Sequence, residues 1–169
     1  SNKEKKFDVL VYSKKRRIDN NFHQLYDGLI SLLEKDEKIT YHVIEYGSHS
    51  REEYFKKVSE SRLTAWLSIE DYCSAAQLEC QYLDCPIIGT KYNLTDTFDE
   101  KYWVNAQTMS SNEWIKWDHD AHIKYYDGIK KILEDYENIV GLPSRFIKTK
   151  YSLGSYSRYV KSVLDNMDW

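Results

Sequence analysis

Short apolar runs that alternate with helix-spaced segments are the feature that most limits the fold of this chain. Phe7 to Tyr12 is almost continuously apolar, which is typical of a strand covered on both faces. Similar runs follow at Ile39 to Tyr46, at Leu63 to Ile69 and at Pro86 to Ile88. Because helical spacing separates these runs, the sequence predicts a doubly wound α/β fold with a parallel sheet and flanking helices.

Three helices are predicted between these strands. The first has apolar residues three and four apart, namely Phe22, Leu25, Tyr26, Leu29, Leu32 and Leu33. The second begins at a capping box formed by Ser50 and Glu53 and carries Tyr54, Phe55 and Val58. The third is expected to use the apolar residues Ala75, Leu78, Tyr82 and Leu83.

The second half of the chain is less regular. Tyr102 to Val104 predicts a short edge strand, and Ser110 with Glu113 forms another capping box. One long helix is expected from there to Gly141 and Pro143, with a face made of Ile115, His119, Ile123, Tyr126, Ile129, Leu133 and Tyr136. A last amphipathic helix is predicted over Gly154 to Asp168. We therefore expect a single domain with a βαβ core at about 7–104 and a helical extension at about 110–168.

Composition narrows the class of protein. The chain has 169 residues and a formal charge of −3, which does not favour a general nucleic-acid partner. No apolar run approaches the roughly 20 residues that span a bilayer, so no transmembrane segment is expected. The three cysteines Cys73, Cys80 and Cys85 form no metal-type pairs, and the N-terminus lacks a signal-peptide core. These features predict a cytoplasmic location.

In open parallel sheets, ligands bind beyond the carboxyl ends of the strands, so the residues that follow each strand carry the functional information. Lys14 to Arg17 follows the first strand and suits a diphosphate, although such a charge run is also typical of a solvated turn. Gly47 follows the second strand and permits a positive φ or a close approach of a flat base. A turn glycine that binds no ligand explains Gly47 equally well.

The segment after the third strand is more specific. Asp71 and Glu79 lie eight residues apart across a predicted strand-to-helix turn. The small residues Ser74, Ala75 and Ala76 leave the start of the helix open, so that its N–H groups and dipole can receive phosphate oxygens. Glu79 is then placed to accept hydrogen bonds from ribose hydroxyls.

This segment resembles the donor-binding half of glycosyltransferases of the GT-B type, which carries a Glu, seven residues and a second Glu before a strand that begins with proline. The matching stretch runs from Ala65 to Thr90, and the ends of the first two strands are also similar. Asp71 takes the position of the first Glu, and Ser74 replaces a glycine. The resemblance covers about residues 7–104 and implies a Rossmann-like domain that forms one half of a GT-B fold.

The resemblance implies transfer of a sugar from a nucleoside-diphosphate sugar, UDP- or GDP-linked by preference, to a hydroxyl of a glycan or another acceptor. It implies that Glu79 binds the ribose. The other implied donor-site residues are Cys73, Ser74 and Ala75 through their backbone, Lys14 or Arg17 through their charge, and Gly47 against the base edge. The family uses its donor as a substrate and normally needs no bound metal, so no cofactor is expected.

The resemblance also places Asp71 near the transferred sugar, with Glu70 in its stead if the turn is one residue longer. Both are candidates for the catalytic base. A complete enzyme of this type has another Rossmann-like half at its N-terminus. A longer protein, a partner or a second copy of the chain would supply that half, and the last predicted helix would cross towards it.

Other chemistries have weaker support in the sequence. Asp118, His119, Asp120 and His122 could bind a metal, but a polar helix face explains them more simply. Cys73 and Ser74 have no G-x-S-x-G elbow or base beside them, and neither a G-x-G-x-x-G nor a P-loop motif is present. The remaining alternative is a non-catalytic Rossmann-like module that binds a nucleotide or a protein.

Overall fold

The computed structural model describes residues 4–14, 22–68, 74–94, 96–109, 111, 115–152 and 154. Its main sheet has four parallel strands in the order β2-β1-β3-β4. These strands are β1 (Phe7–Ser13), β2 (Tyr41–Glu45), β3 (Ser61–Leu67) and β4 (Ile87–Ile88). The fold is therefore the predicted Rossmann-like α/β fold.

Six helices are described. They are α1 (Phe22–Lys35), α2 (Arg51–Ser59), α3 (Ala75–Tyr82), α4 (Ala121–Glu134), α5 (Tyr136–Ile139) and α6 (Leu142–Lys150). Helices α1 and α4 pack on one face of the sheet, against residues such as Val9, Val11 and Leu63. Side chains of α2 and α3 pack on the other face, against Leu10 and Trp66. This alternation explains why β1 reads as a continuous apolar run, since both of its faces are covered.

The predicted start of α2 is confirmed. Ser50 is the N-cap residue, and its hydroxyl accepts a hydrogen bond from the backbone N–H of Glu53 at 3.1 Å. The apolar face predicted for α1 is confirmed as well, because Phe22, Leu25, Leu29 and Leu33 are its buried residues.

The face predicted for α3 is wrong. Its buried residues are Gln77, Cys80 and Gln81, whereas Tyr82 is 55% exposed. The glutamines are buried because they hold the backbone of the following loop. Gln77 Nε2 donates to the carbonyl of Asn93 at 2.5 Å, and Gln81 Nε2 donates to the carbonyl of Asp96 at 2.7 Å.

The single long helix predicted from residue 115 is also wrong. Ile115–Trp117 is a strand, β6, and it pairs with β5 (Gln107–Met109) in an antiparallel hairpin. Helix α4 starts only at Ala121 and buries Ala121, Tyr125, Ile129 and Ile132. Small residues allow this close contact: a Cβ on Gly128 would come within 2.5 Å of Ile88 Cδ1. Periodicity that is read from large apolar residues alone misses the part that Gly128 and Ala121 play in this face.

Two further expectations fail. Residues 100–102 form a 3-10 helix capped by Asp99, instead of the start of an edge strand over Tyr102 to Val104. The 103–104 segment is attached to the sheet by one bond, from the N–H of Val104 to the carbonyl of Gly89 at 2.8 Å. Pro143 lies in the first turn of α6 and so begins a helix instead of ending one. The Ser110 and Glu113 box and the Gly154 to Asp168 helix fall largely outside the described residues.

A buried amide links the ends of β3 and β4 to α4. Asn93 Nδ2 donates to the carbonyl of Ser68 at 2.8 Å and lies 3.0 Å from the Tyr125 hydroxyl, which donates to the carbonyl of Trp66. Asn93 Oδ1 accepts a hydrogen bond from the N–H of Thr90 at 2.6 Å. One side chain therefore satisfies backbone groups at the ends of two strands.

We predict that Asn93→Ala lowers the free energy of unfolding by about 3 kcal/mol, because it leaves buried backbone groups unpaired. Urea unfolding followed by tryptophan fluorescence measures this change. The control is Asn138→Ala, which removes an exposed asparagine that bonds only to Asp135 and should change stability by less than about 0.5 kcal/mol. Equal stability of the two variants would contradict the role given to Asn93.

Candidate functional site

The strand order sets the position of the candidate site. The connection after β2 crosses to the other side of β1, so the order reverses between β1 and β3. In doubly wound sheets, ligands bind in the crevice outside the carboxyl ends of the strands at such a reversal. Here those ends are Ser13 on β1, Glu45 on β2 and Leu67 on β3, which are in register with one another.

The end of β1 carries Lys14. Its backbone N–H donates to the carbonyl of Leu67 at 2.9 Å, and its ammonium lies 5.1 Å from the centre of the Tyr46 ring. Lys14 is therefore fixed between β3 and the turn after β2, at the edge where the diphosphate is predicted. Arg17, the other basic residue predicted for that role, lies outside the described residues.

The turn after β2 confirms the conformation expected of Gly47. Its φ is +84°, in the left-handed region that favours glycine. A Cβ there would meet no atom within 4 Å, so the surface above Gly47 is open. Backbone conformation explains the glycine, and the open surface leaves room for a flat ligand.

Helix α3 begins at Ala75, directly after Ser74 and the undescribed residues 69–73. Ser74 is the N-cap residue in an extended conformation, and its side chain makes no capping hydrogen bond. Ala75 is exposed. The Ser74 side chain therefore does not cap the N–H groups of the first turn, and phosphate binding by those groups stays a prediction. Cys73, together with the catalytic candidates Asp71 and Glu70, lies outside the described residues, and their roles stay predictions.

Glu79 lies on α3, and its side chain contacts the start of α2. One carboxylate oxygen forms an ion pair with Arg51 Nη2, and the two side chains are 23% and 73% exposed, respectively. Arg51 is the first residue of α2 and also lies 5.0 Å from the centre of the Phe55 ring. Because a helix after a parallel strand begins at the carboxyl edge of the sheet, the contact with Arg51 shows that the Glu79 carboxylate lies near the same edge as Gly47.

Sequence reasoning missed Arg51 and the aromatic residues beside it. Tyr12 stacks on Trp66 with ring centres 4.2 Å apart, and His49 stacks on Tyr54 at 5.5 Å. The only sequence signal for Arg51 is its place directly after the N-cap, which says nothing about its partner. The contact with Glu79 depends on how α2 and α3 pack, and this packing cannot be read from spacing.

The acidic and histidine cluster before α4 has structural partners. Lys124 Nζ lies 2.8 Å from a carboxylate oxygen of Asp118 and 3.1 Å from one of Asp120. His122 packs against Gly28 of α1. Among the described residues, no group of three or more histidine, cysteine or acidic side chains is arranged to hold a metal ion.

A cleft at the opposite, amino end of the sheet contains charged side chains that contact one another or a hydroxyl group. It has a volume of about 720 Å³, lies between α1 and α4 and contains Asp8, Asp36 and Arg62. Arg62 pairs with Asp8 at 3.4 Å, and Asp36 accepts a hydrogen bond from the Tyr126 hydroxyl at 2.6 Å. These contacts link β1 to β3 and the end of α1 to α4. The crevice at the carboxyl edge of the sheet therefore remains the better candidate for a ligand site.

No protein-family model, curated protein or solved structure matches this chain. The fold assignment therefore rests on the strand order and register described above, and the function rests on the site. No helix among the described residues is long and apolar enough to cross a membrane.

The two cysteines that the structure describes are poor nucleophiles. Cys80 and Cys85 are free, fully buried thiols that contact Tyr54 and Thr64, with Cys85 Sγ 3.3 Å from Thr64 Oγ1. Burial raises the pKa of both, that of Cys85 to about 11. Both thiols are therefore protonated at neutral pH and do not supply a thiolate.

We predict that a Cys73→Ser variant, which retains only Cys80 and Cys85, does not react with a disulfide reagent at pH 8 while it is folded. Their raised pKa and their burial both withhold the thiolate. After unfolding in guanidinium, two thiols per chain should react, and absorbance of the released thiolate counts them. Rapid reaction of the folded variant would show that one of the two is accessible.

Proposed function

We propose that this chain is the donor-binding half of a GT-B glycosyltransferase and binds a nucleoside-diphosphate sugar at the carboxyl edge of its sheet. One observation carries the proposal. The carboxylate of Glu79 contacts Arg51 at the start of α2, and it therefore lies at the edge that also bears Lys14, the open turn at Gly47 and the start of α3. These four features match the polar groups of a nucleotide sugar.

Each part of the donor has a group to meet in this arrangement. The N–H groups at the start of α3 and the ammonium of Lys14 receive the diphosphate, with Arg17 as a further cation. They stabilise the negative charge that develops on the diphosphate as it leaves the sugar. Glu79 accepts hydrogen bonds from the ribose hydroxyls, and the base lies over the open surface at Gly47.

The rest of the reaction uses groups outside this site. Asp71 or Glu70 lies near the transferred sugar in the proposal, and either one or a group on an N-terminal half of the kind found in complete enzymes of this type deprotonates the acceptor hydroxyl. The acceptor is a glycan or another hydroxyl compound. The proposed transfer uses the helix N-terminus and the basic side chains to stabilise the charge on the leaving group.

The ion pair also gives support to a second function, a non-catalytic Rossmann-like module. Arg51 is a structural partner that accounts for Glu79 without any ligand. In that case Glu79 and Arg51 only link α3 to α2, and the edge of the sheet binds a nucleotide without turnover or a protein. The two functions differ in what happens when each partner of the pair is removed separately.

We predict that one of UDP, GDP, TDP and ADP raises the melting temperature of the wild type by roughly 5–10 °C at a hundredfold excess over its Kd. Glu79→Ala should weaken that binding by about 10- to 100-fold, because it removes a charged hydrogen-bond acceptor. Arg51→Ala should bind as well as the wild type or better, because it releases the Glu79 carboxylate. Isothermal titration calorimetry measures all three affinities.

Both variants are expected to fold, because an ion pair this exposed contributes little to stability. Equal losses of affinity in Glu79→Ala and Arg51→Ala would mean that the pair acts structurally, in favour of the non-catalytic module. A wild type that binds no nucleotide at millimolar concentration would refute the donor site.

A further inference from the structure

A buried hydroxyl without a partner lies at the end of β1. Ser13 is 0% exposed, and its Oγ makes no hydrogen bond. Buried polar groups in folded proteins nearly always have a partner, and an unpaired one lowers stability. Folding therefore does not explain why this position holds a serine.

The register of the sheet shows which side chains surround Ser13. Val9 and Val11 belong to the core cluster on the α1 and α4 face, and the alternation of a strand puts Ser13 on that same face. Its in-register neighbours are Glu45 on β2 and Leu67 on β3. Paired residues of parallel strands share a face, and neighbouring strands lie about 4.8 Å apart. The side chains of Ser13 and Glu45 therefore leave the sheet on the same face from neighbouring positions, and the Ser13 hydroxyl makes no hydrogen bond to Glu45.

Backbone bonds fix this arrangement in place. The carbonyl of Ser13 accepts a hydrogen bond from the N–H of Tyr46 at 2.9 Å, and the next residue, Lys14, is bonded to β3. The backbone at the end of β1 is therefore fixed, and it holds the Ser13 hydroxyl in its position at the end of the strand.

Ser61 shows what a buried serine does when it serves the fold. It is also 0% exposed, but it lies at the opposite end of the sheet, and its hydroxyl donates to the carbonyl of Lys57 at 2.8 Å. The two serines have the same burial and differ in their partners. Ser61 is for this reason a matched control for Ser13.

We propose that Ser13 and Glu45 bind a ring hydroxyl of the sugar-containing ligand. One such hydroxyl can donate to the Glu45 carboxylate while it accepts a hydrogen bond from Ser13. An ionised phosphate oxygen cannot donate a hydrogen bond, so it could not bridge the two side chains in this way. This inference rests on the proposed function and adds a contact on the α1 face of the sheet, opposite the face on which α3 carries Glu79.

The test compares Ser13→Ala with Ser61→Ala. Removal of an unpaired buried hydroxyl should raise the melting temperature by about 2–4 °C, whereas removal of the bonded one at Ser61 should lower it. Ser13→Ala should also weaken binding of the nucleotide or nucleotide sugar about 10-fold, and Ser61→Ala should leave the affinity unchanged. Calorimetric titration with the tightest ligand among UDP, GDP, TDP, ADP and their glucose conjugates gives these affinities.

The choice of ligand identifies which ring is bound. If Ser13 binds the ribose, Ser13→Ala weakens binding of the nucleoside diphosphate but does not weaken binding of its 2′-deoxy or 3′-deoxy analogue. If Ser13 binds the transferred sugar, Ser13→Ala weakens binding of the glucose conjugate only. Either pattern supports the proposal, and Glu45→Gln should reproduce it more weakly, because an amide oxygen is a poorer acceptor than a carboxylate.

Two results would overturn the inference alone. A lower melting temperature for Ser13→Ala would show that the hydroxyl serves the fold, and unchanged affinity would show that it does not contact the ligand. A wild type that binds none of these ligands is a different result, which refutes the proposed function and removes the ligand on which this contact depends.

Discussion

The side-chain amide of Asn93 is the constraint on which most of this structure depends. Parallel strands end in backbone carbonyls and N–H groups that the sheet no longer pairs, and a buried strand end must find partners for them. Asn93 supplies those partners for Ser68 and Thr90 and contacts Tyr125 of α4. Gly89 makes room for it, because a Cβ at that position would lie 2.5 Å from Asn93 Oδ1. The ends of β3 and β4 thereby become a rigid platform.

That platform also positions the helix on which the candidate site is built. Gln77 and Gln81 attach α3 to the loop that contains Asn93, so the helix is held by backbone acceptors in addition to its apolar contacts. Helix α3 carries Ser74 at its N-cap and Glu79, whose carboxylate contacts Arg51 at the start of α2. The proposed phosphate and ribose contacts thus depend on a polar network that never touches the ligand, as precise binding sites usually do.

The sequence predicted the first half of the fold well, because strands covered on both faces and amphipathic helices have strong periodic signals. It failed for α3, where the buried face is made of glutamines, and for α4, where Gly128 and Ala121 give close packing but almost no hydrophobic signal. Gly47 could be predicted as a turn residue, since only local backbone geometry is involved. The roles of Arg51 and Ser13 could not be predicted. The partner of Arg51 lies on another helix, and the Ser13 hydroxyl has no hydrogen-bond partner; both features depend on the tertiary structure.

The contact between Gly128 and Ile88 has a consequence for the way the domain opens. Strand β4 has only two residues in register with β3, too few for its ladder to hold it against fraying. Because α4 packs closely against the side chain of Ile88, we expect β4 and α4 to open to water as one cooperative unit, with neither released while the other stays docked. This short strand thus keeps its place through a helix packed on its face more than through its own ladder.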